Sequence, residues 1–279
     1  GKIQTPNIYS GSAGLGSRDV RPDDITAVVE NMLEKDKKYF VIGINHEVAL
    51  SSRESTDIRC EGTFSMRGHS VGGYGSVTTN KIIATIVADL FDMYVQAYPK
   101  YGSEKKGLPT TYFLTVSPKR VKTHNELEFV EFVPLNDVNA FNLANPLKGL
   151  MPGGMLFVQS SKTDSKEIWH DFPKWAKKII QEKNIKILAL DTVKIAKEVS
   201  SKVDLIQRMQ GIVLLGIFLK ATPFLKTSGI TEKELMVSVE KSLRKYFGKR
   251  GEQVVQDNLN AVKRGFNEVF EVTQERKEN

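Results

Sequence analysis

Cysteine is nearly absent: Cys60 is the only one in 279 residues. An internal disulfide is therefore excluded, and so is an all-cysteine zinc site. The chain alone cannot hold an iron–sulfur cluster, which needs about four thiolates. Cys60 sits in "STDIRCEGTF", with no catalytic signature around it, and reads as structural or incidental. This cysteine usage fits a reducing compartment, so the cytoplasm is the expected location. Long apolar runs are missing as well. The most apolar stretch, "GIVLLGIFL" (211–219), has nine residues, against the roughly 20 needed to span a bilayer. No secretory leader pattern opens the sequence, and no membrane span is expected.

Several catalytic signatures are also absent. The four histidines, at 46, 69, 124 and 170, show no H-x-x-x-H spacing, so no metal site is assigned. There is no G-x-S-x-G elbow, no G-x-x-x-x-G-K-[ST] phosphate loop and no pair of carboxylates placed for acid–base work. No catalytic residue is assigned either. A chain of this size without a complete constellation suggests a subunit that contributes to an active site assembled elsewhere.

What is present is a soluble composition, 40% hydrophobic and 26% charged, with a net charge of +7. That balance favours anionic partners without choosing among them. Lysines alternate with tyrosines in "YPKYGSEKKG" (98–107), yet no nucleic-acid module surrounds them, and nucleic acid is not an expected partner.

The central motif is "RGHSVGGYGSVTTNK" (67–81), where Gly72, Gly73 and Gly75 precede an apolar helical stripe at Ile82, Ile83, Ile86, Val87, Leu90 and Phe91. A dinucleotide fingerprint needs G-x-G-x-x-G, and here the third position is Thr78. No acid ends the next strand to hold a ribose diol; "TTYFLTVSPKR" finishes on Lys119 and Arg120. The pattern therefore disfavours a nicotinamide dinucleotide. Two readings stay open: amides at a helix N-terminus holding a phosphorylated or otherwise anionic ligand, or a tight strand-to-helix turn without one. Ser76, Thr78 and Thr79 add hydroxyls to the first reading, and the neighbouring His69 could hydrogen-bond a ligand or serve structure only. A self-contained nucleotide-binding or regulatory protein is the alternative function this loop allows.

Around the loop, a helix is predicted from Ile25 to Met32 and a strand over 38–45, with a connector over 46–66. The helix after the loop is read through "VTTNKIIATIVADLFDMYVQAY". Strands follow at 110–117, 127–135, 155–161 and 185–191, with a tryptophan-containing helix over 169–183. Beyond 191 the chain reads as helices broken at Pro223, Gly229 and Gly248 to Gly251. This alternation predicts an α/β fold with a mostly parallel sheet covered by helices. It comprises an N-terminal arm and connector (1–66) and one domain (67–279) ending in a helical part.

Five segments in order carry a resemblance. "GLGSRDVRPDDITAVVENMLEKDKKYFVIGINHEV" and "YGSVTTNKIIATIVADLFDMYVQAYPKYGSEKKG" are similar to the approach to, and opening of, the gamma domain of 2-oxoacid:ferredoxin oxidoreductases. "LKGLMPGGMLFVQSS", "IKILALDTVKIAKEV" and "GKRGEQVVQDNLNAVKRGF" resemble the rest of that domain. The resemblance implies a Rossmann-like domain in a heteromeric complex that oxidises 2-oxoacids in anaerobic metabolism. It further implies thiamine diphosphate with its magnesium, and [4Fe-4S] clusters, on partner chains, with ferredoxin as the electron acceptor.

In pyruvate-type members the gamma domain helps bind coenzyme A. By position that role falls on Gly72, Gly73, Gly75, Ser76, Val77 and Thr78, with Lys119 and Arg120 as further candidates. The loop "GGYGSVTTNK" departs from the "GSDGTVGANK"-like residues of the pyruvate type. That departure sets coenzyme A use against an oxalate-type member that cleaves its substrate without the coenzyme.

Overall fold

The computed structural model describes residues 57–71, 75–100, 109–122, 126–136, 139–143 and 145–274. The chain divides into two compact units, Gly1–Ile58 and Arg59–Asn279. The helix and strand expected between Ile25 and Asn45 lie outside the described residues.

The second unit is built on a seven-stranded sheet. In chain order its elements are β1 (Phe64–Val71), α1 (Ser76–Phe91), β2 (Tyr94–Lys100), β3 (Pro109–Ser117), β4 (Val130–Leu135), α2 (Ala140–Leu143), β5 (Leu150–Gln159), α3 (Ser165–Asp171), α4 (Lys174–Glu182), β6 (Lys186–Leu190), α5 (Thr192–Val199), α6 (Ile206–Ala221), α7 (Phe224–Ser228), α8 (Glu232–Phe247), α9 (Glu252–Glu268) and β7 (Phe270–Glu271). The strand order is β2-β3-β1-β4-β5-β6-β7. β1, β4, β5 and β6 pair in parallel, whereas β3 runs against both β1 and β2, and β7 runs against β6. Five of the seven strands thus point one way, the mostly parallel sheet expected from the alternation of elements.

Two cores lie on opposite faces of this sheet. One face packs Met66, Leu114 and Phe132 against α1, α5, α6, α8 and α9. On the other, Val133, Leu156 and Ile187 pack against α3 and α4. The apolar run read at 211–219 is the middle of α6, buried along its whole length. A helix apolar on every side belongs in a core, and α6 crosses α9 so closely that a Cβ on Gly216 would meet Val262 O at 2.0 Å. Each large side chain it buries contributes roughly 1.5–3 kcal/mol relative to exposure. Among the described residues, no helix is long and apolar enough to cross a membrane.

Three elements differ from the sequence reading. α1 stops at Phe91 instead of continuing to Tyr98, because Asp92 adopts left-handed backbone (φ 51°) and Tyr94–Lys100 pairs with β3. The helix read over 169–183 is two helices. Its break falls where extended backbone at Phe172 and Pro173 interrupts the apolar period. β1 begins at Phe64, inside the stretch read as a connector, and every one of its residues faces a partner on β3.

Candidate functional site

β1 leads to α1 on one face of the sheet, whereas its neighbour β4 leads to α2 on the other, where Ala140 joins the second core. Chain connections diverge there, and open α/β sheets bind ligands in the crevice outside the strand ends at such a switch point. The glycine loop after Val71 lies at this point. Gly72 and Gly73 fall outside the described residues; Gly75 is described and forms the N-terminal boundary of α1 in left-handed backbone, φ 78°.

Gly75 is also the point where two helices meet. A Cβ there would lie 2.9 Å from both Cα and O of Arg208, in the first turn of α6. One turn on, a Cβ on Gly211 would lie 2.4 Å from Thr79 Oγ1. The contacts 75 to 208 and 79 to 211 advance together, so α1 and α6 run parallel with their N-termini side by side. Neither has a side-chain cap, and neither carries an acid in its first turn. Each helix N-terminus behaves as roughly half a positive charge. Two aligned ends repel each other and favour an anion between or before them.

The α1 end offers the backbone N–H groups of Ser76, Val77 and Thr78, while that of Thr79 is already bonded to Gly75 O at 2.9 Å. On the α6 side, the amide of Ile206 is used by Val203 O in a preceding 3-10 turn. Arg208 adds an exposed guanidinium with no ion-pair partner among the described residues. Ser76 is buried and Thr78 is exposed. Asn80, part of the familiar N-K helix start, is tied to the scaffold: its Nδ2 donates to Phe113 O at 2.8 Å.

The strand ends beneath the loop are held by a polar lock. The amide of Asn136 donates to His69 O at 2.8 Å. From β3 the Tyr112 ring passes across Gly68, where a Cβ would sit 1.9 Å from its Cζ, and the hydroxyl donates to Asn136 Oδ1 at 2.9 Å. Burial raises the Tyr112 pKa, keeping it a neutral donor. His69 is pushed down to about 4 by burial and, secondarily, by the Arg67 cation, so its imidazole is neutral at physiological pH. Its Nε2 has no hydrogen-bond partner among the described residues. The nearby Arg67 Nη2 donates to the carbonyls of Pro146 (3.1 Å) and Lys148.

Lys119 and Arg120 are not brought to this corner. They follow Ser117 at the far end of β3, and β3 is antiparallel to β1, with Val71 facing Pro109 and Phe64 facing Val116. Eight residue pairs at about 3.4 Å rise put them about 24 Å from the glycine loop. From sequence they stand at the end of the next strand, and the reversed direction of β3 takes them away from the loop. Arg208 stands in the corner instead. It lies about 130 positions further along the chain, and only Gly211, a glycine inside an apolar helix, hinted at a close approach.

Metal and cluster chemistry does not fit these residues. Among the described residues no three His, Cys, Asp or Glu side chains gather as a metal site, and Cys60 is exposed and free.

Fold and corner together define an α/β domain whose switch point is flanked by two uncapped helix N-termini. The chain belongs to the pyruvate ferredoxin/flavodoxin oxidoreductase family, whose pattern it matches over residues 65–268, from β1 to the end of α9. It is 27% identical over 272 residues to the pyruvate:ferredoxin oxidoreductase of Moorella thermoacetica, covering 95% of this chain and 22% of that protein. The chain thus spans about a fifth of the length of that relative.

The pyruvate oxidoreductase subunit PORC of Thermotoga maritima shares the fold, with TM-score 0.54 and 23% identity over 76% of this chain and 99% of its own. So does the keto/oxoacid ferredoxin oxidoreductase gamma subunit of Geobacter sulfurreducens, with TM-score 0.53 and 19% identity over 74% and 95%. These matches show the α/β fold that the resemblance implies.

Proposed function

We propose that this chain is the gamma-type, non-cluster component of a thiamine diphosphate-dependent 2-oxoacid:ferredoxin oxidoreductase. Its glycine-loop corner would cover an active site whose thiamine, magnesium and clusters are carried by partner chains. There it would grip an anionic group of the substrate or of a coenzyme. The observation that carries this reading is the pairing of two uncapped, parallel helix N-termini at Gly75 and Arg208 on the sheet's switch point. The single cysteine in the chain supports the assignment of cluster ligands to partners.

In this role the amides of Ser76, Val77 and Thr78 and the Arg208 guanidinium bind and orient the anion. The isolated chain is expected to be inactive and colourless. The test is assay of the complex co-purified from its native source, on pyruvate and on oxalate, each with and without coenzyme A. Turnover that requires partner chains supports the reading, and the arms choose the oxoacid and decide coenzyme A use. Turnover of a 2-oxoacid by the isolated chain would sink it.

A further inference from the structure

We propose that the cleft between the carboxyl ends of β5 and β6 is a second anion site, taking the phosphate group of a small phosphorylated ligand. The sheet has a second switch point there. β5 leads into α3 on one face, where Ile168 and Trp169 join one core; β6 leads into α5 on the opposite face, where Ile195 and Ala196 join the other. The two loops diverge and leave a cleft of about 770 Å³, a volume typical of small-molecule sites. Gln159, Ser161 and Lys162 line one side, and Asp191, Lys194 and Lys197 the other.

Charge decides what this cleft takes. Its acids are already engaged. Asp191 accepts from Gln159 Nε2 and from the Lys194 amide, each at 3.0 Å. Asp171 pairs with Lys162 at 2.6 Å, and Glu198 pairs with Arg264 at 2.6 Å. The first-turn amide of Thr192 is taken as well, donating to Gln159 Oε1 at 2.7 Å. Two cations are left without a partner among the described residues: Lys194 and Lys197, both exposed.

The two lysines are three positions apart on α5 and so share one face, about 5–6 Å apart at Cβ. A phosphate monoester carries about 1.5 to 2 negative charges and three acceptor oxygens, which matches two ammonium groups and the Ser161 hydroxyl. A carboxylate brings one negative charge to the two ammonium groups, where a phosphate monoester brings nearly two. Among the described lining residues Val193 is the one apolar side chain. The Gln159–Asp191–Thr192 network joins the two rims, so the ordering cost of binding falls on the lysine side chains.

The experiment is calorimetric titration of the full chain with inorganic phosphate, pyrophosphate and adenosine 5′-monophosphate. Saturable binding at two sites is expected, the glycine-loop corner and this cleft, with the cleft's affinity weakened at least tenfold in Lys194→Ala/Lys197→Ala at an unchanged melting temperature. Removing equal charge from α8, in Lys241→Ala/Lys245→Ala, should change affinity less than twofold. Arg208→Ala, at the glycine-loop corner, should leave the cleft's binding intact. Inorganic phosphate binding as tightly as the nucleotide supports a free-phosphate site, and tighter nucleotide binding supports a larger phosphorylated ligand. No saturable binding, full affinity in the α5 double variant, or loss confined to Arg208→Ala would overturn the proposal.

Discussion

Gly75 lies against the backbone of Arg208, so near that an added Cβ would stand 2.9 Å from two of its atoms. This contact sets α1 beside α6 and gives the glycine loop a structural reason and a chemical one together. The Gly75 side of the corner supplies amides, and the Arg208 side supplies a cation.

Gly75→Ala should therefore be costly twice over. Left-handed backbone costs an alanine about 1–2 kcal/mol, and the methyl must push α6 away. A fall in melting temperature of several degrees is expected by calorimetry, with loss of activity in the assembled complex. An alanine variant as stable as the wild type would show that α6 yields freely at this point.

Lys119→Ala/Arg120→Ala should leave the kinetics of the complex unchanged within about twofold, because β3 carries both residues to the opposite end of the sheet. A rise in KM for an anionic substrate or coenzyme would mean that another chain brings their end of the sheet to the site. Steady-state assays with each varied in turn decide this.

The pH dependence of stability should carry a mark of His69. Its pKa in the folded chain, about 4, lies below the ordinary 6.5, so the unfolded chain takes up the proton first. Its contribution is fully present above about pH 6.5 and is lost as pH falls toward 4. Between pH 7 and pH 5 the wild type should lose up to about 2 kcal/mol more than His69→Gln. Denaturant unfolding at both pH values measures the difference, and identical losses would place the imidazole in solvent.

The crossing of α6 and α9 should tolerate no extra methyl. A Cβ on Gly216 would lie 2.0 Å from Val262 O, and one on Gly265 would lie 2.1 Å from Val213 O. Both neighbours are backbone, which cannot rotate away as a side chain can. Gly216→Ala is expected to cost about 3 kcal/mol or more and to lower the yield of folded protein. Thr231→Ala, which removes the capping box of α8, should cost only about 1 kcal/mol, so the two melting curves serve as contrast.

Much of this architecture is legible in local sequence. The apolar run 211–219 announces a buried helix, and the strands at 110–117 and 185–191 lie within a residue of their observed bounds. Other features depend on partners distant in sequence. Nothing near Lys119 reveals that β3 runs backwards, because strand direction is set by pairing with β1 and not by β3's own residues. The apolar spacing of α1 gives no sign of stopping at Phe91; a left-handed Asp92 and pairing to β3 override it. The glycine loop is legible as a tight turn that either holds an anion or stands alone, but its guanidinium is not, since Arg208 reaches it only after five further strands have been laid down.

The most direct test is Arg208→Ala in the complete complex, with KM measured for the 2-oxoacid and for coenzyme A alongside the melting temperature. The account predicts at least a tenfold rise in KM for one of the two anions, partial recovery in Arg208→Lys, and a melting temperature within about 1 °C of wild type. Wild-type kinetics in Arg208→Ala would contradict it and leave the corner as a helix junction alone.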